Sequence, residues 1–99
     1  MDRTYAIVWS ENGTVASGRL EPLADRFELA SRRQSLSIPF TDLESASIER
    51  SRADRLNGLP VLELARSGSL PVRIASLQGV AALLELLDYV ASSGLVTGT

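Results

Sequence analysis

Two adjacent arginines, Arg32 and Arg33, are the residues of this chain best suited to bind an anion. They lie in a polar stretch between two segments of alternating apolar and polar residues, which predicts a turn. Guanidinium groups bind phosphate or carboxylate through charge-assisted hydrogen bonds. The simpler interpretation is that both arginines only solvate the tip of a hairpin, and the sequence leaves the two interpretations open.

A second charged stretch holds Arg50, Arg52 and Arg55, which alternate with Glu49 and Asp54. The acids balance the arginines, which favours a solvated loop whose charges pair locally. The predicted loop is nonetheless among the longest in the chain, and long loops often carry binding sites. We therefore keep Arg52 and Arg55 as candidate protein-interaction residues.

The residue types needed for conventional catalysis are missing. The 99 residues include no histidine and no cysteine, and all ten cationic residues are arginine, so no serine has a histidine or lysine base. Asp42 and Glu44 form a carboxylate pair, but their place at a turn favours a structural role. The glycines are dispersed and the carboxylates are not clustered, so neither a phosphate loop nor a Mg²⁺ or Ca²⁺ site is predicted. We expect a non-enzymatic protein without cofactor or metal.

Composition and charge indicate an ordinary globular domain. The chain is 44% hydrophobic and 22% charged, and its net charge of -2 offers no general attraction to nucleic acid or to an anionic membrane. No apolar run approaches the ~18 residues that span a bilayer, and residues 1–5 do not resemble a signal peptide. The expectation is one cytoplasmic domain over residues 1–99.

Seven segments have the short, alternating character of β-strands. Asn12-Gly13 predicts a tight hairpin after the first segment, because both residues tolerate positive φ. Gly18 predicts a bulge or a close backbone approach in the second, and Pro22 is expected to end its pairing. The predicted strands span residues 4–10, 14–20, 26–31, 35–40, 45–50, 59–66 and 70–75.

Alternation within these strands predicts which side chains face the core. Pro39 suits a strand end or a sheet edge. An exposed edge is a place where a partner strand or another copy can add, and Pro39 or Pro60 is expected to limit the pairing there. The residues predicted to face inward are Phe27, Leu29, Leu36, Ile38, Phe40, Ala46, Ile48, Leu62, Leu64, Val72 and Ile74.

Residues 77–92 change to a helical period, with Ser76 as the expected N-cap. Glu85 and Tyr89 are predicted to face solvent, where a tyrosine is either an interface anchor or a single exposed aromatic without consequence. The stripe predicted to face the core consists of Leu77, Val80, Leu83, Leu84, Leu87, Val90 and Ala91.

In this order of elements the chain resembles the pleckstrin-homology-like (PH-like) superfold, particularly its bacterial and GRAM-type members. The resemblance rests on G-R-L and D-R-F-E-L within residues 18–29, on S-I-P-F-T-D-L-E-S-A-S-I at residues 37–48, and on the last hairpin and helix. It implies a mainly β, seven-stranded half-open barrel of two antiparallel sheets, capped by one C-terminal helix at about residues 77–92. In such a barrel Asp42 is expected to cap a short helical turn.

The superfold hosts recognition of phosphoinositides, phosphopeptides, proline-rich peptides and proteins, so the fold does not fix the function. Its lipid-binding members gather basic residues around the first hairpin, where this chain has an acidic turn followed only by Arg19. We therefore expect a non-catalytic protein-interaction or adaptor module, with self-association possible, that uses a sheet edge or the helix face of Glu85 and Tyr89. The alternative is weak recognition of anionic lipid headgroups or phosphorylated ligands through Arg32 and Arg33, with a membrane surface not favoured.

Overall fold

A single sheet, curled into a half-barrel, and a C-terminal helix make up the described part of the molecule. The computed structural model describes residues 4–11, 13–49, 58–92 and 97–98. The strands are β1 (Tyr5–Glu11), β2 (Thr14–Pro22), β3 (Arg26–Ser31), β4 (Ser35–Pro39), β5 (Leu43–Glu49), β6 (Val61–Arg66), β7 (Val72–Ser76) and β8 (Thr97–Gly98). The helix α1 spans Val80–Ala91, and a 3₁₀ turn at Phe40–Asp42 joins β4 to β5. The predicted seven antiparallel strands and terminal helix are confirmed.

Strand β1 connects the two halves of the sheet. It pairs antiparallel with β2 on one side and with β7 on the other. The strand order is therefore β4-β3-β2-β1-β7-β6-β5-β8, and the two predicted sheets share β1 as one continuous curled sheet. Strand β8, which was not predicted, pairs parallel with Ala46 and Ser47 of β5. A strand of two residues is too short to show alternation in a sequence.

The first hairpin and the close approach at Gly18 both agree with the sequence predictions. Glu11 pairs with Thr14, and Gly13 has a φ of +82°, as a two-residue hairpin turn requires. At Gly18 an added Cβ would lie 1.8 Å from the carbonyl oxygen of Ala30 on β3. Strands β2 and β3 thus approach so closely that only glycine fits, which confirms the predicted close approach.

The prediction that Pro22 ends the pairing of β2 is wrong. Strand β2 continues through Pro22, which is buried and pairs with Phe27 of β3. Strand β1 begins at Tyr5, opposite Leu20, so the missing N–H of Pro22 interrupts no hydrogen bond between β1 and β2.

The chain turns from β4 into β5 through the short helical turn that the resemblance implied. Phe40, predicted as a strand residue, opens this turn and remains buried. Asp42 is its last residue and makes no capping side-chain hydrogen bond, so its predicted role as a cap is wrong. Its backbone carbonyl instead accepts a hydrogen bond of 2.9 Å from the N–H of Ser67, which ties the start of β5 to the β6–β7 turn.

The core fills the concave side of the curled sheet, and the helix covers it. Of the residues predicted to face inward from the strands, all are buried except Leu36, which is half-buried. Phe27 and Phe40 meet edge to face with ring centroids 5.0 Å apart. The core cluster consists of Tyr5, Ile7, Trp9, Leu20, Phe27, Leu29, Ile38, Phe40, Leu43, Ala46, Ile48, Leu62, Leu64, Val72, Ile74, Ala82, Leu83, Leu86, Leu87 and Val90.

The helix begins three residues later than predicted. Gly79, with a φ of +97°, occupies the N-cap position, so the prediction of Ser76 as N-cap is wrong. Ser76 ends β7 instead, where its Oγ accepts a 3.0 Å hydrogen bond from the N–H of Gln78. The turn is also held to β1, because the N–H of Leu77 donates to the carbonyl of Ala6 at 3.0 Å.

The buried face of α1 differs from the predicted stripe. Leu84 is 42% exposed, and Leu77 lies outside the helix and is 59% exposed. Leu86, absent from the predicted stripe, is fully buried. The face that packs on the core consists of Ala82, Leu83, Leu86, Leu87 and Val90.

Candidate functional site

Arg32 and Arg33 form the two-residue tip of the β3–β4 hairpin, as predicted. The N–H of Ser31 donates a 2.8 Å hydrogen bond to the carbonyl of Gln34, which closes the turn. The hydroxyl of Ser31 also lies 3.3 Å from the N–H of Gln34, from which it accepts. The turn is therefore fixed by its flanking residues, and both arginine side chains project into solvent.

Neither tip arginine has a carboxylate partner among the described residues, and the same holds for Arg19. The other described arginines are paired with glutamates: Arg26 with Glu28 at 3.1 Å, Arg66 with Glu11 at 2.5 Å, and Arg73 with Glu63 at 3.1 Å. The guanidinium groups of Arg19, Arg32 and Arg33 are therefore available to form hydrogen bonds with a ligand or with another protein.

A groove of about 450 Å³ lies between the hairpin tip and strand β2. It exists because β2 extends beyond β3, whose last residue, Ser31, pairs with Gly18. The groove is lined by Thr14, Val15, Ala16, Ser17, Ser31, Arg32, Arg33 and Gln34. An adjoining depression of about 490 Å³ adds Arg19 to the same surface.

Strand β4 is an open edge of the sheet within the described ranges, since it pairs only with β3. Hydrogen-bonded and non-hydrogen-bonded pairs alternate along an antiparallel ladder. Because Ser31 and Gln34 form a hydrogen-bonded pair, the pairs that contain Leu36 and Ile38 are hydrogen-bonded as well. The backbone N–H and C=O groups of the residues between them therefore point away from β3.

These outward-pointing groups belong to Ser35, Ser37 and Pro39, and Pro39 has no N–H. The prediction that Pro39 suits a strand end or edge is confirmed, because it is the last residue of the edge strand. Pro60 does not lie at an edge: it precedes β6, which lies between β5 and β7.

The unpaired charges that flank β4 in the sequence are divided between its two ends. The strand itself, S-L-S-I-P, carries no charged residue. Arg32 and Arg33 precede it, and Asp42 and Glu44 follow it, all four with exposed side chains. In the described part of the chain no arginine pairs with Asp42 or Glu44.

Glu85 and Tyr89 lie one turn apart on the outer side of α1, where they line a shallow depression of about 260 Å³ with Asp88 and Ser92. Tyr89 is 36% exposed, as predicted for an outward residue. Glu85 is only half-buried rather than fully exposed, because its Oε1 accepts a 2.7 Å hydrogen bond from the hydroxyl of Tyr5. Sequence reasoning missed this contact, which joins residues 80 positions apart.

The candidate residues Arg52 and Arg55 lie outside the described residues. Within the described ranges, the acidic side chains form no group of three suited to hold a metal ion. The same ranges contain no helix with the length and apolar character to cross a membrane.

Comparison with known proteins supports the fold alone. The chain matches no family model and none of the curated proteins. Among solved structures it is similar to the C-terminal domain of an unknown protein from Leishmania infantum, with a TM-score of 0.69 and 15% sequence identity. The similarity covers 90% of this chain and 82% of that one.

Proposed function

We propose that this protein is a non-catalytic interaction module of PH-like fold that binds protein by adding a strand to β4. The observation that carries the proposal is the open edge itself. Ser35 and Ser37 present backbone donors and acceptors that β3 does not use. An extended segment adds to such an edge through main-chain hydrogen bonds. Natural edge strands are protected by charges, by proline or by their shortness. Strand β4 carries no charged residue, and its single proline is its last residue.

The PH-like assignment is supported by the topology. Two antiparallel meanders joined through β1, with one helix after the last of them, match what the sequence resemblance implied. The non-catalytic assignment is supported by the absence of histidine, cysteine and lysine from the chain.

Substitution of Ser37 by proline tests the binding edge. Ser37→Pro removes an outward N–H without breaking a β3–β4 hydrogen bond, because position 37 lies between the hydrogen-bonded pairs. Ser37→Ala is the matched control, since it keeps this N–H but loses the 2.9 Å hydrogen bond from Ser37 Oγ to Glu28. We expect cross-linked partners to be recovered from native extract by wild type and Ser37→Ala and lost by Ser37→Pro. Equal recovery by a folded Ser37→Pro contradicts the proposal.

The outer helix face is the competing protein-binding surface. Tyr89→Ala removes its aromatic residue, which lies at the surface, and is not expected to disturb the core. If Tyr89→Ala loses the recovered partners while Ser37→Pro keeps them, binding lies on the helix and not on β4.

A second candidate function is recognition of an anionic group, favoured by the unpaired Arg32 and Arg33 beside the groove. A cavity of this size accommodates a small ligand, and two guanidinium groups suit a phosphate. The test is titration with inorganic phosphate and, separately, with vesicles that contain a phosphoinositide. Binding that weakens with salt and is lost in Arg32→Glu/Arg33→Glu supports this function, whereas binding unchanged in that variant removes it.

A further inference from the structure

We infer that the occupant of the β4 edge is a second copy of this chain, paired antiparallel about a two-fold axis. The inference rests on the proposed function, since it names the partner of the same edge. It follows from the direction of the strand and the division of charge between its ends.

Antiparallel pairing of β4 with its own copy brings the beginning of each strand next to the end of the other. Arg32 and Arg33 of one copy then lie near the turn that contains Asp42 of the second, and Glu44 follows that turn two residues further along the chain. A two-fold axis repeats the contact, so the dimer contains two contacts between unpaired arginines and unpaired carboxylates. Parallel pairing instead brings like charges together at both ends, which is unfavourable.

The backbone is compatible with this arrangement. Ser35 and Ser37 each supply an outward N–H and C=O, so a two-fold pair centred within β4 forms several main-chain hydrogen bonds. Pro39 supplies only an acceptor, which limits the pairing to a few residues. The serine side chains are small and uncharged, and they do not repel the same residues of a second copy.

The resulting interface is small. Five residues of strand and two charged ends bury far less than the roughly 1,200 Å² of a stable interface. The dimer is therefore expected to be weak and reversible, and to dissociate as salt screens the charges at its ends.

Reversing the charges at one end of β4 or at the other gives two variants. A general loss of stability cannot explain a result in which each variant is monomeric alone and the mixture dimerises. In Arg32→Glu/Arg33→Glu both ends of β4 are acidic, and in Asp42→Arg/Glu44→Arg both ends are basic. Each variant alone is expected to remain monomeric where wild type dimerises. An equimolar mixture is expected to form a heterodimer, because each acidic end then faces a basic end.

The measurement is sedimentation velocity of the full chain over a concentration series from about 10 µM to about 1 mM, a range suited to a weak interface. The inference predicts association at least about tenfold weaker for each variant alone, and its restoration in the mixture. It is overturned if wild type stays monomeric throughout, or if the mixture stays monomeric while circular dichroism shows both variants folded. If wild type stays monomeric but Ser37→Pro still loses a different captured protein, only the second-copy inference fails.

Discussion

The hydroxyl of Tyr5 donates a hydrogen bond of 2.7 Å to Oε1 of Glu85, which joins the first strand to the last helix. Tyr5 is buried within the core cluster, and its polar end reaches the rim where α1 crosses the sheet. The contact fixes the helix over the concave side of the half-barrel.

Tyr5→Phe is expected to lower the free energy of unfolding by about 1 kcal/mol, because one hydrogen bond to a carboxylate is lost without a cavity. Urea denaturation monitored by tryptophan fluorescence measures the change. Tyr89→Phe is the matched control and is expected to change stability by less than about 0.5 kcal/mol, since Tyr89 lies at the surface. Equal effects of both substitutions contradict the structural role of Tyr5.

Leu86→Ala is expected to destabilise the protein by about 2–5 kcal/mol, because Leu86 is fully buried and its truncation leaves a cavity. Leu84→Ala, two positions away on the exposed side of the same helix, is expected to cost less than about 1 kcal/mol. Comparing the unfolding free energies of the two variants, by heat or urea, shows which side of α1 faces the core. If Leu84→Ala is the more damaging variant, the buried stripe predicted from the sequence is the true one.

The periodicity of the sequence located this helix but did not fix its rotation. Leucines occur at positions 83, 84, 86 and 87, so two overlapping stripes are almost equally apolar. Packing against β5, β6 and β7 selects the stripe that contains Leu86 and turns Leu84 outward. Sequence alternation was sufficient for β3 and β4, whose apolar residues lie on one face of the sheet. It does not describe β1, where the consecutive residues Ile7, Val8 and Trp9 are all buried.

The candidate site was predictable only where it depended on local sequence. The hairpin tip of Arg32 and Arg33 follows from a polar stretch between two strands. That no carboxylate in the described structure pairs with these arginines, and that β4 lies at the sheet edge, depend on strand order. Strand order is set by contacts between distant residues, such as the pairing of β1 with β7.

Gly18→Ala is expected to cost about 2–4 kcal/mol, because the new Cβ would lie 1.8 Å from a backbone oxygen and the strands must separate. Gly13→Ala is the comparison: its Cβ meets no atom within 4 Å, but its φ of +82° strains alanine by about 1 kcal/mol. The two unfolding free energies separate steric overlap from dihedral strain. A Gly18→Ala protein no less stable than Gly13→Ala contradicts the close approach of β2 and β3.

Arg66→Gln is expected to lower stability by about 1–2 kcal/mol. The Arg66 side chain is 12% exposed, and it donates hydrogen bonds both to Glu11 and to the carbonyl of Leu70, at 2.8 Å from Nη2. Glu11→Gln removes only the ionic partner, which is partly exposed, so its cost is expected to stay below about 1 kcal/mol. In urea denaturation at high salt, the cost of Glu11→Gln is expected to become small, because salt weakens the ion pair. Most of the cost of Arg66→Gln is expected to remain, because the hydrogen bonds to Leu70 are lost as well.

The claim that β4 is the edge at which a second copy of the chain binds is tested by amide chemical shifts in ¹⁵N-labelled protein over a dilution series. We expect the amide signals of Ser35 and Ser37 to move as concentration rises, together with those of Arg32, Arg33, Asp42 and Glu44. The signals of Glu85 and Tyr89 on α1 are expected to stay in place. Changes confined to the helix signals, or the absence of any change at β4 up to about 1 mM, would contradict the claim.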